Sequence, residues 1–236
     1  MQEPGLSLTL EVKEHALGLG VDSVGVASAA TLESAPSGHK PSDLLPGAKS
    51  VIVLSLDCFD TITGRLSPTR RVGEVSFRDI YNVHQGSVYG QLDDFAYQVG
   101  RFLVRKGYRV VTIPSSGATD NRNLMAVFSH KHAAAAAGLG TLGLNGLVVT
   151  PAHGQRARFV SVITDAPLSP DASLKGSLCP TGCDICIKNC PSGALQMPIA
   201  GKPYSRDAFK CCSFYGGSGG CGICMASCPV GASIKP

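Results

Sequence analysis

The chain has 236 residues, 44% of them hydrophobic and 16% charged, with ten cysteines and a formal net charge of +4. A chain of this length buries a full core without disulfide staples, so the cysteines need another explanation. The opening MQEPGLSLTLEVKEH, broken by Pro4, Gly5 and charges, offers no secretory apolar core and nothing near the ~18 apolar residues of a membrane span, and the 21 basic and 17 acidic residues are interspersed, which speaks against nucleic acid as a partner. The expected setting is a reducing cytoplasm, in which clustered cysteines bind metal.

Residues 6–19 carry an amphipathic helical pattern, and residues 21–27 (VDSVGVA) form the strand that follows. Residues 50–56 (SVIVLSL) have the short, continuous, β-branched character of a strand buried on both faces. A long helix over about 81–106 places Val88, Leu92, Phe95, Val99, Phe102 and Leu103 at helical spacing; Gly107 ends it, and residues 108–113 make the next strand, stopped by Pro114. Asp120 or Asn121 caps a further helix that runs through Met125 and Phe128 to Ala137. Residues 147–150 and 158–164 are two strands that a turn at 151–154 joins as a hairpin. This alternation implies a layered α/β domain over residues 1–168. Beyond it, Cys, Pro, Gly and Ser punctuate short segments that form no core unaided, so a second, smaller domain is expected over 169–236, with the boundary in the 167–173 stretch.

Nine of the ten cysteines lie between Cys179 and Cys228. Two segments repeat one pattern: Cys183-Asp-Ile-Cys186-Ile-Lys-Asn-Cys190-Pro191 and Cys221-Gly-Ile-Cys224-Met-Ala-Ser-Cys228-Pro229 both read C-x2-C-x3-C-P. That is the spacing of two-cluster bacterial ferredoxins, in which a tight thiolate loop holds most of one cluster and the cysteine before proline reaches the other. Crossed ligation gives one cluster Cys179, Cys183, Cys186 and Cys228, and the other Cys190, Cys221, Cys224 and one of the adjacent Cys211 and Cys212. Two 4Fe-4S clusters follow. Three residues rather than two separate Cys179 from Cys183, an excess that Gly182 absorbs in the turn. Zinc would prefer paired C-x2-C knuckles without the repeated Cys-Pro ending. Cys58, just after a buried strand, is a small core hydrophobe.

Gly138-Leu139-Gly140-Thr-Leu-Gly143 matches G-x-G-x-x-G, but it follows an alanine-rich helix and precedes a strand. A dinucleotide site needs the reverse order, with pyrophosphate at a helix N-terminus. The glycines therefore serve as a helix C-cap and loop, or let backbone approach a large flat cofactor. His130 and His132, two apart on a helix, face different ways and do not ligate together. Arg156 and Arg158 are read as a solvated strand edge, with cofactor carboxamides or phosphate as the alternative partners.

The run from Ser129-His-Lys-His to Ala137-Gly-Leu-Gly140-Thr-Leu-Gly143-Leu-Asn145-Gly146-Leu-Val-Val-Thr-Pro151, then Gly154-Gln-Arg-Ala-Arg158 and Val162-Ile-Thr-Asp165, followed by the double cysteine module, resembles the epoxyqueuosine reductases and their relatives the reductive dehalogenases. The likeness extends to LGVDSVGVAS and SVIVLSL, and so to nearly the whole chain. It implies a nitroreductase-like cobalamin-binding domain followed by a ferredoxin-like domain whose clusters feed electrons to cobalt. His130, Gly138, Leu139, Gly140, Gly143, Asn145 and Gly146 would then lie at the cofactor. Within the cysteine pair the resemblance favours Cys212, which stands three residues before Tyr215. No D-x-H-x-x-G segment supplies a lower ligand, so cobalamin is expected base-off. The register of the family's proton donor falls near Asn123 and Leu124, which leaves Asp120 as the nearest acid, with Tyr89 as a second catalytic candidate. No counterpart of the family's carboxy-terminal helical repeats is present, so a shortened relative acting on a small substrate, fed by a ferredoxin or flavodoxin, is expected. The competing readings are a non-catalytic ferredoxin-like electron carrier and a reductase that holds FMN in place of cobalamin.

Overall fold

The computed structural model describes residues 4–66, 76–117, 119–120 and 122–231. Its elements in chain order are α1 (Pro4–Leu19), β1 (Ser23–Ser28), α2 (Pro41–Leu44), β2 (Ser50–Asp57), α3 (Asp60–Thr63), α4 (Phe77–Arg105), β3 (Val110–Ile113), β4 (Thr119–Asp120), β5 (Met125–Ala126), α5 (His130–Ala136), β6 (Thr141–Leu142), β7 (Val148–Val149), β8 (Ala157–Thr164), α6 (Ile185–Lys188), β9 (Leu195–Gln196), β10 (Ser205–Arg206), α7 (Ala208–Gly217) and α8 (Ile223–Ala226). The fold is mixed α/β. Among the described residues no helix is long and apolar enough to cross a membrane.

The chain forms two compact units, each assembled from separate segments: Met1–Leu56, Tyr89–Leu139 and Arg158–Leu174 in the first, and Asp57–Val88, Gly140–Ala157 and Lys175–Pro236 in the second. The last crossing falls near the boundary expected at 168, but two earlier segments join the cysteine-bearing one. Residues 167–173, where composition placed the boundary, lie in the first unit. Asp171 donates its backbone N–H to the Val26 carbonyl at 2.8 Å and accepts the Val26 N–H on Oδ2 at 2.8 Å, while Lys13 pairs with its other oxygen at 2.5 Å. One residue thus satisfies an exposed edge of β1 that would otherwise be open to pairing.

The first unit is built on a sheet of order β1-β2-β8-β3, with β1 antiparallel to β2 and β3 antiparallel to β8. Strand β2 is buried along Ser50–Leu56, as its unbroken apolar run dictates, and Val51, Ile52, Val53 and Leu54 are wholly inaccessible. Helix α4 turns Leu92, Ala96, Val99 and Leu103 inward at spacings of three and four. Helices α1 and α5 both pack on β1.

Two expectations fail. The helix capped at Asp120 does not form: β4 and β5 pair as a hairpin, the Asp120 carboxylate accepts the Arg122 backbone N–H at 2.9 Å, and Leu124 takes φ 48°. An aspartate that bonds the backbone two residues on specifies a turn before it specifies a cap. Asn121 lies outside the described residues. The hairpin of residues 147–150 with 158–164 does not form either. Thr150 and Gly154 bridge across the turn, but β7 then pairs with β6, and β8 joins the main sheet.

Helix α5 ends in two backbone bonds, Gly138 N–H to the Ala135 carbonyl at 3.2 Å and Leu139 N–H to Ala134 at 3.0 Å, with Gly138 at φ 74°. This is the Schellman geometry that a left-handed glycine permits. The end of α5 lies so close to β1 that a Cβ at Gly25 would stand 2.5 Å from the Ala137 carbonyl oxygen and 3.1 Å from Leu139. Gly25→Ala is therefore expected to lower the unfolding free energy by about 1–3 kcal/mol, read as a lower urea midpoint at unchanged slope.

Candidate metal centre

The two cysteine segments fold alike. Cys186 is the second residue of the four-residue helix α6 (ICIK) and Cys224 the second residue of α8 (ICMA), so each C-x2-C-x3-C run places its middle thiol on a single helical turn and its outer thiols on the flanking chain. The two short helices are in contact. Cys186 interacts electrostatically with Cys179, Cys183 and Cys228. Cys211 does so with Cys221, Cys190 and Cys212, and Cys224 with Cys221, Cys211 and Cys186. Thiols thus lie near one another within Cys179, Cys183, Cys186 and Cys228 and within Cys190, Cys211, Cys221 and Cys224, and Cys186 and Cys224 are neighbours as well. Helix α7, capped by the Asp207 carboxylate on the Lys210 N–H at 3.0 Å, carries the adjacent pair. Neighbours on a helix point about 100° apart, and here it is Cys211 that turns toward Cys190 and Cys221, while Cys212 is exposed. The resemblance favours Cys212, whereas exposure and the neighbouring thiols favour Cys211.

Among the described residues no three His, Cys, Asp or Glu side chains close on a point that a single metal ion could occupy. A tetrahedral zinc site, with Zn–S near ~2.3 Å, demands closer sulfurs. Burial pushes the Cys224 thiol up to about 12 and the Cys186 thiol up to about 11. Such thiols keep their protons near neutral pH unless a bound metal displaces them to solvent.

Hydrogen-bond donors are aimed at the sulfurs. Burial would raise Cys190, but the Ser192 hydroxyl at 3.5 Å and the backbone amides of Leu195, Ser192 and Ala194 bring it below the usual thiol value. Burial raises Cys228 against a bond from the Val230 amide. At Cys224 the donor is Asn145. That side chain is 2% exposed and fully engaged. Its amide also donates to Gln155 Oε1 at 2.6 Å, and its oxygen accepts from Gln155 Nε2 at 3.0 Å and from the Leu147 N–H at 3.1 Å. Amide and hydroxyl donors around a thiolate stabilise its charge and tune a bound cluster.

The glycine loop is explained mostly by the protein itself. A side chain at Gly138 would meet the Ala172 carbonyl, one at Gly140 the Val149 carbonyl, and one at Gly143 the Gln155 amide at 2.7 Å; at Gly146, φ 73°, the Tyr204 ring fills the space at 2.8 Å. Leu139 packs beside Gly25. His130 uses both ring nitrogens within the first unit, Nε2 donating to the Pro114 carbonyl at 2.9 Å and Nδ1 accepting from the Ser161 hydroxyl at 2.8 Å. Arg156 is no solvated strand edge: it is 2% exposed, beside Asp60 at 3.0 Å. Its burial, and the pairing of Gln155 with Asn145, escaped the sequence reading. The only signal was their place between a glycine turn and an apolar strand.

Of the two catalytic candidates, Asp120 lies on the β4–β5 turn. The Arg122 amide, the Asn123 side chain at 2.8 Å and the Arg122 guanidinium hold its carboxyl below the usual range. That keeps it ionised, the reverse of what a proton donor needs. Tyr89 is half-buried on α4, and its carbonyl accepts the Ser115 hydroxyl at 3.1 Å.

No family model matches the chain. Epoxyqueuosine reductase from Bacillus cereus is 28% identical over 230 residues, 88% of this chain and 56% of that protein, and the Bacillus subtilis enzyme is 26% identical over 227 residues, 86% and 54%. Tetrachloroethene reductive dehalogenase from Dehalobacter restrictus is 30% identical over 153 residues, 57% of this chain and 26% of that protein. The chain spans about half the length of the curated epoxyqueuosine reductases it matches. In fold it is similar to an epoxyqueuosine reductase solved with an epoxyqueuosine-modified tRNA-Tyr stem loop, at TM-score 0.64 and 20% identity over 96% of this chain and 66% of that one. It is also similar to a reductive dehalogenase whose structure suggests a mechanism for B12-dependent dehalogenation, at TM-score 0.74 and 22% identity over 97% and 32%. Relatives and structural neighbours fall into the two groups that the motifs resemble.

Burial lowers the His130 pKa below the usual 6.5, against the Pro114 carbonyl and the Asp93 charge, which favour the proton. The unfolded chain therefore binds a proton as pH falls through that value while the folded one does not, and the neutral ring's contribution is lost on acidification. The stability difference between the wild type and His130→Gln should shrink between about pH 7 and about pH 5 in denaturant titrations. A constant or growing difference would show that the ring is not held neutral.

Proposed function

We propose that the chain carries the electron-transfer and cofactor-binding parts of a cobalamin-type iron-sulfur reductase, in which two 4Fe-4S clusters pass electrons to a cobalamin. The observation that supports this reading is the repeated C-x2-C-x3-C-P segment, which folds the same way twice, with Cys186 and Cys224 each second on a one-turn helix and the two helices in contact. Cys179, Cys183, Cys186 and Cys228 would hold the first cluster, and Cys190, Cys211, Cys221 and Cys224 the second. When bound, the clusters would supply single electrons and the cobalamin a strongly reducing cobalt.

The chain's own residues have three tasks in this reading. Asn145, Ser192 and the amides of residues 192, 194, 195 and 230 steady the thiolates. The segment 57–88 walls the second unit, where the Tyr81 hydroxyl meets the Met225 sulfur at 3.8 Å and the Asn82 amide donates to the Gly219 carbonyl at 2.6 Å. The proton that a reduction consumes must come from a neutral acid. Asp120 can supply it only if the bonds from Arg122 and Asn123 are released, and otherwise the task passes to Tyr89. In domain terms the first unit is the nitroreductase-like part and the second the ferredoxin-like part.

The substrate reading changes. Dispersed charge argued against nucleic acid, but one structural neighbour is solved with a tRNA stem loop. That expectation does not match the likeness, so a modified nucleic acid stands beside a small molecule as substrate class. A second reading, a pure electron carrier, is favoured by one observation: His130 and the glycines at 138–143 are spent on contacts within the protein.

Anaerobic purification with iron and cobalt analysis, and visible spectra with and without added cobalamin, decides between them. The reductase reading expects about eight irons per chain and corrin uptake. Iron with neither corrin nor flavin uptake leaves the carrier, FMN uptake the flavin enzyme, and absence of iron defeats all three. The ligand choice has its own outcome: Cys211→Ser should lose about half the iron and Cys212→Ser none.

A further inference from the structure

Arg156 carries a permanent charge and is 2% exposed, yet nothing in the activity proposed above uses it. Its Nε stands 3.0 Å from Asp60 Oδ1, close enough for an ion pair but not aligned as a hydrogen bond. Its Nη1 donates to the Val230 carbonyl at 3.3 Å and, at the limit of bonding, to the His153 carbonyl at 3.5 Å. A guanidinium so placed is expensive to bury for stability alone. What distinguishes the position is its neighbour. Val230 follows Cys228 by two residues and gives its carbonyl to Arg156, so the guanidinium lies against the chain that carries a thiol of the first group, and its charge acts on that thiol. Gly154, at φ 56°, lies against the Val230 carbonyl so closely that any side chain would part the two strands of chain.

Among the described residues no other buried side chain is a cation. In the second group the donor at Cys224 is Asn145, a neutral amide, and the cation that acts on Cys211 is Arg206, which is exposed and so screened by solvent.

We propose that Arg156 raises the reduction potential of the cluster held by Cys179, Cys183, Cys186 and Cys228 relative to that of its partner cluster, so that an electron entering the pair comes to rest on this one. The inference rests on the two-cluster reading. Reduction adds one electron to a cluster and breaks no bond. The donor is a low-potential one-electron carrier. A fixed positive charge in a poorly polarisable interior favours the more negative, reduced state, and the Asp60 carboxylate opposes it in part. Arg156 thus acts through the field at Cys228 and is a positioning residue for charge, not a catalytic one.

The test is an EPR-monitored redox titration of the full chain loaded anaerobically with iron and sulfide, each signal assigned by its loss in Cys211→Ser. Arg156→Gln should lower the first cluster's reduction equilibrium at least tenfold, 59 mV for one electron, and leave the second in place. Arg156→Lys should keep most of the wild-type value, and Asp60→Asn should shift the same cluster the opposite way. A purely structural role for Arg156 predicts lost iron or broadened signals, with no opposed shifts. If Arg156→Gln does not load, Asp60→Asn and Arg156→Lys decide alone. Unshifted potentials in a loaded protein, equal shifts of both clusters, or an Asp60→Asn shift in the Arg156→Gln direction would overturn the inference. A wild type that binds no iron would remove the two-cluster reading as well.

Discussion

Holding two single-turn helices and their cysteines in contact is the constraint on which the second unit depends. Helices α6 and α8 are one turn each and cannot stand alone. They are supported by chain that comes from elsewhere in the sequence. Tyr81 and Asn82 arrive from the start of α4, Asn145, Gln155 and Arg156 from the segment around β7, and Thr141 accepts the Leu178 N–H on its hydroxyl at 2.9 Å. The unit is therefore discontinuous for a physical reason. The cysteine-bearing segment carries the ligands, and the other two carry the wall and the polar groups around them.

The first unit follows the ordinary logic of a buried sheet. Strand β2 is covered on both faces, and the edge of β1 is closed by Asp171. The contact between β1 and the end of α5 is drawn so tight that both partners must be small, Gly25 on the strand and Ala137 on the helix. The glycines after α5 belong to the same economy of space. Gly138 takes the left-handed conformation that ends the helix, and Gly140 and Gly143 admit the chain near Val149 and Gln155.

Periodicity made the large elements legible. The inward stripe of α4, the continuous apolar run of β2 and the glycine after α5 each bear a signal that only one structure satisfies. The cysteine spacing was legible for a similar reason, because C-x2-C-x3-C-P fixes where each thiol can reach. What failed was local ambiguity. Asp120 is as good a turn residue as a cap, and only the pairing of β4 with β5 decides between them. Cys211 and Cys212 differ by one position on a helix whose facing is set by its packing and not by its own sequence. Arg156 was the hardest to see, because a charged residue before a strand looks solvated until its guanidinium is known to lie beside Asp60 and the Val230 carbonyl.

The formal charge of +4 has a different meaning once the thiols are counted as ligands. An oxidised 4Fe-4S core in four thiolates carries a net charge of about −2, so two of them offset the excess and leave the loaded chain near neutrality. Net charge then argues neither for nor against a polyanionic substrate, since what a nucleic acid meets is a local field and not a sum. The sum also hides a difference in worth. An exposed cation such as Arg206 is dissolved in the ionic atmosphere, whereas the buried Arg156 acts through an interior that screens it poorly. On the proposed two-cluster reading, a chain with almost no net charge would still hold its clusters at unequal potentials, because its buried guanidinium lies against the Cys228 segment through the Val230 carbonyl.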